Sequence, residues 1–224
     1  MDSGNIGFVL LCAAFVFVMT PGLAMFYGGL VRKKNVVNTM MTSIFIIGVG
    51  IVMWVLFGYS LSFAPSGNAF IGDFRWLGLE GVSLTEGYTD DASIPNMVFS
   101  AFQMMFAVIT PALITGAVAG RMKFKSIFVF TIFWSLIVYY PLAHMVWGQG
   151  GLLGADGIGA LDFAGGDVVH ISSGVSALVL CILLGKRHDY EHSIYRIHNI
   201  PTVVLGASLL MFGWFGFNAG SALA

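Results

Sequence analysis

Six apolar stretches, each near or above the roughly 20 residues a helix needs to cross a bilayer core, occupy most of this 224-residue sequence, with polar connections between them. A chain patterned this way can hide its surface in one solvent, and that solvent is lipid. Composition agrees, with 58% of residues hydrophobic and 9% charged, where soluble domains carry about a quarter charged. No water pairs the main chain inside hydrocarbon, so each stretch reads as an α-helix. The spans fall at 6–30, 36–63, 94–119, 125–147, 167–185 and 199–222. Residues 1–224 therefore read as one all-α domain, a polytopic transmembrane helix bundle. Thr20-Pro21-Gly22 lies inside the first span, where a kink is expected and where neighbouring helices can re-satisfy the freed backbone groups.

Charge sets the orientation. Arg32, Lys33, Lys34, Arg121, Lys123, Lys125, Lys186, Arg187 and Arg196 fall in connections on one side of the bilayer, and only Arg75 falls on the other. The positive-inside rule makes the first side cytoplasmic and puts the N-terminus outside, in a cell (inner or plasma) membrane. Asp73, Glu80, Glu86, Asp90, Asp91, Asp156, Asp162 and Asp167 show the complementary bias toward the outer loops. A net charge of −1 leaves no basic face for nucleic acid. Met1-Asp2-Ser3 offers no basic lead to the first apolar run, so that run reads as a span and not a cleaved signal peptide. Cys12 and Cys181 lie in apolar runs and read as small buried hydrophobes.

Glycines at 116 and 120, and at 216 and 220, recur at a spacing that puts both members of a pair on one helix face. Small residues there let helix backbones approach in a solvent that offers no hydrophobic drive for association. The longest connection, 64–93, reads either as a lid or vestibule rim or as a plain connector. No Asp, Glu, Lys or Arg lies well inside a span, which leaves His170, Gln103, Thr110, Asn218, Ser221 and His144 as polar candidates. An ionisable residue in a span marks a pathway or has partners that offset its burial. On position alone, His170 is either such a group or a neutral histidine bonded to a neighbouring backbone, and His144 belongs to the membrane interface. Gln103 and Phe106 share a helix face at i, i+3, and Phe217 and Ser221 at i, i+4. A ring beside a hydroxyl suits a cation, although each of the 20 phenylalanines is also a candidate for plain packing.

The run DFAGGDVVHISSGVSALVLCILLGKR from Asp162 to Arg187 resembles the signature of the ammonium transporter (Amt/MEP/Rh) family. Further pieces agree in order: MTPGLAMFYGGLVRKKN at 19–35, AFQMMFAVITPALITGAVAGRM at 101–122, PLAHMVWGQGGLL at 141–153 and GWFGFNAGSA at 213–222. The likeness covers essentially the whole chain outside 64–93. It implies the ammonium transporter fold, here the first inverted repeat plus helix six, within a homotrimer of eleven-helix subunits. The second pore histidine and helices seven to eleven of that pattern have no counterpart in these residues, so a truncated longer protein is expected.

By the resemblance, Trp147, Phe106 and Ser221 correspond to an outer ammonium-recruitment site. Phe106 and Phe217 correspond to stacked phenyl rings that close the pore entrance, and His170 to the first of two pore histidines that relay a proton. Asp162 corresponds to an acid that supports the site structurally. Asp167 sits where relatives also carry small neutral residues. The function so implied is nitrogen uptake, by recruiting ammonium (or methylammonium) and conducting ammonia, with or without its proton, through a hydrophobic pore. No cofactor and no enzymatic activity are implied. A PII-type signalling protein at the cytoplasmic face is the implied partner beside the lipid bilayer. An ammonium sensor on the same fold is the alternative. Two other classes have sequence support: His188-Asp-Tyr-Glu-His192 fits the H-x-x-E-H zinc motif of a metalloenzyme, and His144, His170 and His198 are candidate haem ligands.

Overall fold

Main-chain groups that find no water pair within their own segments, and the computed structural model shows, among its described residues, six helices long and apolar enough to span a membrane. They are α1 (Ser3–Leu30), α2 (Lys33–Phe63), α3 (Asn96–Val118), α4 (Phe124–Trp147), α5 (Gly166–Leu184) and α6 (Ile200–Gly220). The structure describes residues 1–155, 157–187, 190 and 194–224, and no strand occurs among them. The helices start and stop close to where the apolar runs do. The largest departures are at the starts of α1 and α2, for polar reasons. Asp2 accepts a hydrogen bond from the Asn5 N–H at 2.9 Å and so caps α1 ahead of its apolar run, and a tight turn over Lys33–Asn35 forms the first turn of α2. α1 passes Pro21 without a break in its helical backbone.

α3 is the central element: 72% of its apolar window is buried, against 22% for both α5 and α6. The most extensive helix pair is α1 with α6, and glycine makes it possible. A Cβ on Gly216 would stand 2.6 Å from Phe15 Cβ and 2.8 Å from the Cys12 carbonyl, so any larger residue would push the helices apart. Gly220 also faces Cys12, which places both members of that pair on the α1 contact. The other pair behaves differently. Gly116 lies under the Tyr27 ring, but α3 ends at Val118 and Gly120 sits beyond it with φ of 69°, in the left-handed region where a side chain is strained. Gly120 is a turn residue, not part of a helix face.

Three of the helices contain a wider π turn, at Trp54–Gly58 in α2, Ser135–Tyr139 in α4 and Gly166–Ile171 at the start of α5. In α4 the turn immediately precedes Tyr140-Pro141, where a proline lacks its N–H and crowds the carbonyl four residues back. The two mid-helix turns pack against each other. A Cβ at Gly58 would lie 2.7 Å from the Tyr140 ring, and Trp54, Tyr59, Tyr139 and Tyr140 are all buried there.

The connections segregate into two ends. At one, Arg32, Lys34, Arg121, Lys186 and Arg187 surround a cavity of about 380 Å³, with Tyr195 between the guanidinium groups of Arg32 and Arg187. Cys12 is buried as expected, but Cys181 is only half-buried at this basic end, where Arg121 donates to its sulfur at 2.9 Å. At the other end the 64–95 connection is tied to the segment after α4: Leu152 N–H donates to Ala69 O at 2.9 Å and Gln149 Nε2 to Tyr88 O at 2.8 Å.

Candidate functional site

At the end opposite the basic cluster, α3, α4 and α6 converge on a cavity of about 490 Å³ whose wall includes Tyr88, Gln103, Phe106, Trp147, Asp162 and Ser221. The 64–95 connection contributes its edge through Tyr88 and Ser93. Ser93 Oγ donates to Leu223 O at 2.9 Å and so ties that rim to the end of α6.

Asp162 is the hub that builds this wall. Its carboxylate accepts the backbone N–H groups of Gly165, Gly166, Asp167 and Val168 at 2.5, 2.8, 2.8 and 2.9 Å. These are the donors that a helix start leaves without internal partners, so one side chain satisfies the whole first turn of α5 and sets its negative charge at the positive end of the helix dipole. Gly165, at φ of 93°, supplies the left-handed turn that lets the chain fold back over that carboxylate. The Asp162 carbonyl in turn accepts from Trp147 Nε1 at 2.9 Å, so the same residue fixes the indole of α4.

Phenylalanines form the floor. Phe106 and Phe217 stand with ring centroids 4.4 Å apart and planes 46° to one another, each 1% exposed. The rings expected to be stacked are thus tilted, the arrangement ring quadrupoles favour over a face-to-face sandwich. Trp147 meets Phe106 edge-on at 6.0 Å. Ser221 Oγ donates to Phe217 O at 2.8 Å, which commits its proton and leaves its lone pairs as acceptors beside the cavity. Tyr88 stacks on Phe99 at 4.7 Å, and burial pushes its hydroxyl up to about 12, so the rim carries a neutral phenol at any physiological pH.

His170 lies below this floor, on α5. Its ring stacks on Trp214 at 5.6 Å and approaches Phe217 at 5.9 Å, and the residue is exposed on the open flank of the bundle. The sequence reading missed Trp214. It stands three residues before Phe217 within the GWFGFN run and so shares its helix side, which was the available signal.

The remaining polar candidates separate. Thr110 Oγ1 donates to the Phe106 carbonyl of its own helix at 2.5 Å. Asn218 sits with Trp214 and Phe215 in an apolar groove on the open side of α6, away from the cavity. His144 was expected at the interface and is instead completely buried, its Nδ1 3.1 Å from Ser62 O and its Nε2 2.8 Å from Asn68 O. It straps the end of α2 and the following loop to α4, because main-chain carbonyls that leave a helix inside a bundle need partners. No cluster of three metal-ligating side chains occurs among the described residues, and the His188–His192 motif lies outside them. His144 and His198 sit at opposite ends: His198 N–H bonds Gly29 O and Val31 O at the basic end.

A profile of the Ammonium Transporter Family matches residues 7–224. An ammonium transporter of Bacillus subtilis is 53% identical over 223 residues, which cover 100% of this chain and 54% of that protein. The crystal structure of Mep2 from Candida albicans matches with a TM-score of 0.87 at 35% identity, over 100% of this chain and 49% of that one. A structure titled Sensor Amt Protein matches with a TM-score of 0.83 at 31% identity, over 98% of this chain and 55% of that one. The chain spans about half the length of the relatives it matches.

Proposed function

This chain belongs to the ammonium transporter family, and from that premise we propose that its cavity recruits ammonium and delivers ammonia past a phenylalanine gate to His170. The observation that carries the reading is the convergence of Trp147, Phe106 and Ser221 on one cavity, with the Phe217 ring packed against Phe106 behind it. Ring faces attract a cation and Ser221 accepts one of its N–H groups. Below, two closed phenyl rings penalise any ion that keeps its charge, and ammonium can shed its charge by giving up a proton, whereas potassium cannot. His170 is the first group past the gate able to accept or relay that proton.

In this reading the basic end is cytoplasmic, the cavity and the N-terminus face outward in a cell (inner or plasma) membrane, and transport supplies nitrogen to the cell. The active assembly is a homotrimer in which the exposed flank of α5 and α6 packs against the remainder of an eleven-helix subunit. A PII-type signalling protein is its partner at the basic face. The test is the full-length protein in liposomes. Ammonium or methylammonium is expected to evoke a current or an internal pH change that equal potassium does not, and an equal potassium response sinks the selectivity mechanism. The likeness to the sensor structure favours a second reading, in which occupancy of the same cavity signals without flux. Ammonium binding with no flux in the same liposomes selects it.

A further inference from the structure

Among the described residues of the cavity wall, Gln103 alone has a buried side-chain atom without a hydrogen-bond partner, since Thr89 and Asp91 also line the cavity but keep no polar side-chain atom both buried and unpaired. Trp147 Nε1 donates to Asp162 O, the Asp162 carboxylate takes four N–H groups, Ser221 donates to Phe217 O, and the Tyr88 hydroxyl accepts Gln149 N–H. Gln103 differs. The residue is 8% exposed, lines the cavity, and its Oε1 is a buried acceptor with no hydrogen-bond partner. Unpaired buried acceptors are rare because nothing offsets their lost hydration. One here, three residues before Phe106 on α3 and so on the cavity side of the gate, points to a donor that arrives from outside the protein.

We propose that the Gln103 carboxamide is a substrate acceptor of the recruitment site, and that it ranks cations by the number of N–H groups they carry. Rotation about the last side-chain torsion of a glutamine is soft, so the amide can swing Oε1 from the wall into the cavity when a donor enters. Ammonium then meets two acceptors, Oε1 and Ser221 Oγ, with the rings of Phe106 and Trp147 against its remaining surface. Each N-methyl group removes a donor and adds bulk, so a fully substituted ammonium gains nothing from Gln103. A carboxamide oxygen also coordinates bare alkali cations, which leaves rejection of potassium to the gate and gives Gln103 the separate task of sorting alkylated amines from ammonium.

This rests on the recruitment reading above, and the experiment separates the two. Half-saturating concentrations for ammonium, and inhibition by dimethylammonium and tetramethylammonium, are measured in liposomes for the wild type, Gln103→Met and Gln103→Glu. Gln103→Met should raise the ammonium value by about tenfold, the scale of one lost hydrogen bond to a charged donor. It should raise the dimethylammonium value less, leave tetramethylammonium and the maximal rate unchanged, and Gln103→Glu should restore ammonium affinity. Equal shifts for all three cations mean a structural role and overturn the proposal, as does no shift in either variant. If Gln103→Met does not assemble, Gln103→Asn, which draws the acceptor back by one methylene, takes its place. An unchanged ratio of ammonium to dimethylammonium then overturns it. A wild type silent to ammonium removes the recruitment reading and this inference with it, whereas a responsive wild type with unaltered variants removes only Gln103.

Discussion

α3 and α6 each carry one ring of the proposed gate, yet they live in opposite surroundings. α3 is enclosed by the bundle, while α6 shows Met211, Trp214 and Phe215 on its outer side with exposures of 65%, 46% and 73%. The two gate rings nonetheless share the same 1% exposure, because Phe217 turns inward onto Phe106 from the one side of α6 that faces α3. Three residues earlier on α6, Trp214 and the His170 ring stacked on it lie open. The Phe106–Phe217 contact is thus packed within the described residues, whereas the His170–Trp214 pair beside it faces outward. That difference predicts which residues govern recruitment and which govern passage.

The largest effect is expected at Asp162, which serves both parts. Asp162→Ala strands four backbone donors of α5, at a cost on the order of 3 kcal/mol or more, and loosens the turn whose main-chain carbonyl holds the Trp147 indole. Thermal unfolding in detergent should show a large fall in Tm together with loss of any ammonium response. Asp162→Asn, which keeps an acceptor oxygen, should fall between. An Asp162→Ala protein with native Tm would show that the entrance does not hang on this cap, and the comparison with the open flank would lose its basis.

Gate and passage are separated by the next two variants. Phe217→Ala removes a ring that is 1% exposed and should cost about 3 kcal/mol. It also opens the floor, so potassium should now evoke a response in liposomes. His170→Ala should leave the half-saturating ammonium concentration unchanged and lower the maximal rate by about a hundredfold, the scale of a lost proton-transfer group. A shift in half-saturation with an intact maximal rate would mean that His170 belongs to the entrance after all.

Much of this was legible in the sequence, for reasons that can be named. Helix existence followed from hydrocarbon, which forbids unpaired backbone, so all six spans could be read from the apolar runs. Trp147, Phe106, Ser221 and Phe217 could be nominated because family motifs carry them; the first three line one cavity, and the Phe217 ring packs against Phe106. Sequence gave no depth, however. His144 looked interfacial because it sits near a helix end, yet the end of α2 and the loop after it fold over it and supply two carbonyls from residues 82 and 76 positions away. Gly120 looked helical because four-residue spacing ignores where a helix stops. The Asp162 cap needs a left-handed Gly165, and composition does not reveal that its carboxylate turns inward to the backbone and not outward to a cation.

A smaller effect is expected at the His144 strap. His144→Ala leaves the Ser62 and Asn68 carbonyls without their ring partner and should cost about 2 kcal/mol. Hydrogen exchange should quicken in 62–72 while the Phe106–Phe217 gate keeps its potassium rejection. Loss of that rejection would show that the entrance depends on the loop as well as on the convergent helices.

The smallest effect tests how far the entrance reaches. Asp73 and Arg75 pair at 2.7 Å on the exposed surface of the same loop. The side-chain hydrogen bond from Arg75 is the largest influence on the Asp73 carboxyl, which is held below its ordinary value. The sign follows: a depressed folded value means stability that is present above the unfolded carboxylate range and is lost as pH falls through the folded value. Exposed pairs of this kind contribute little, and salt screens what they do contribute. Asp73→Asn should therefore leave Tm at pH 7 and the half-saturating ammonium concentration where they were. It should slightly flatten the decline of Tm measured from pH 5 downward. A clear rise in the ammonium value would mean that this surface carboxylate helps to gather the cation, and the entrance would then extend beyond the cavity of Trp147, Phe106 and Ser221.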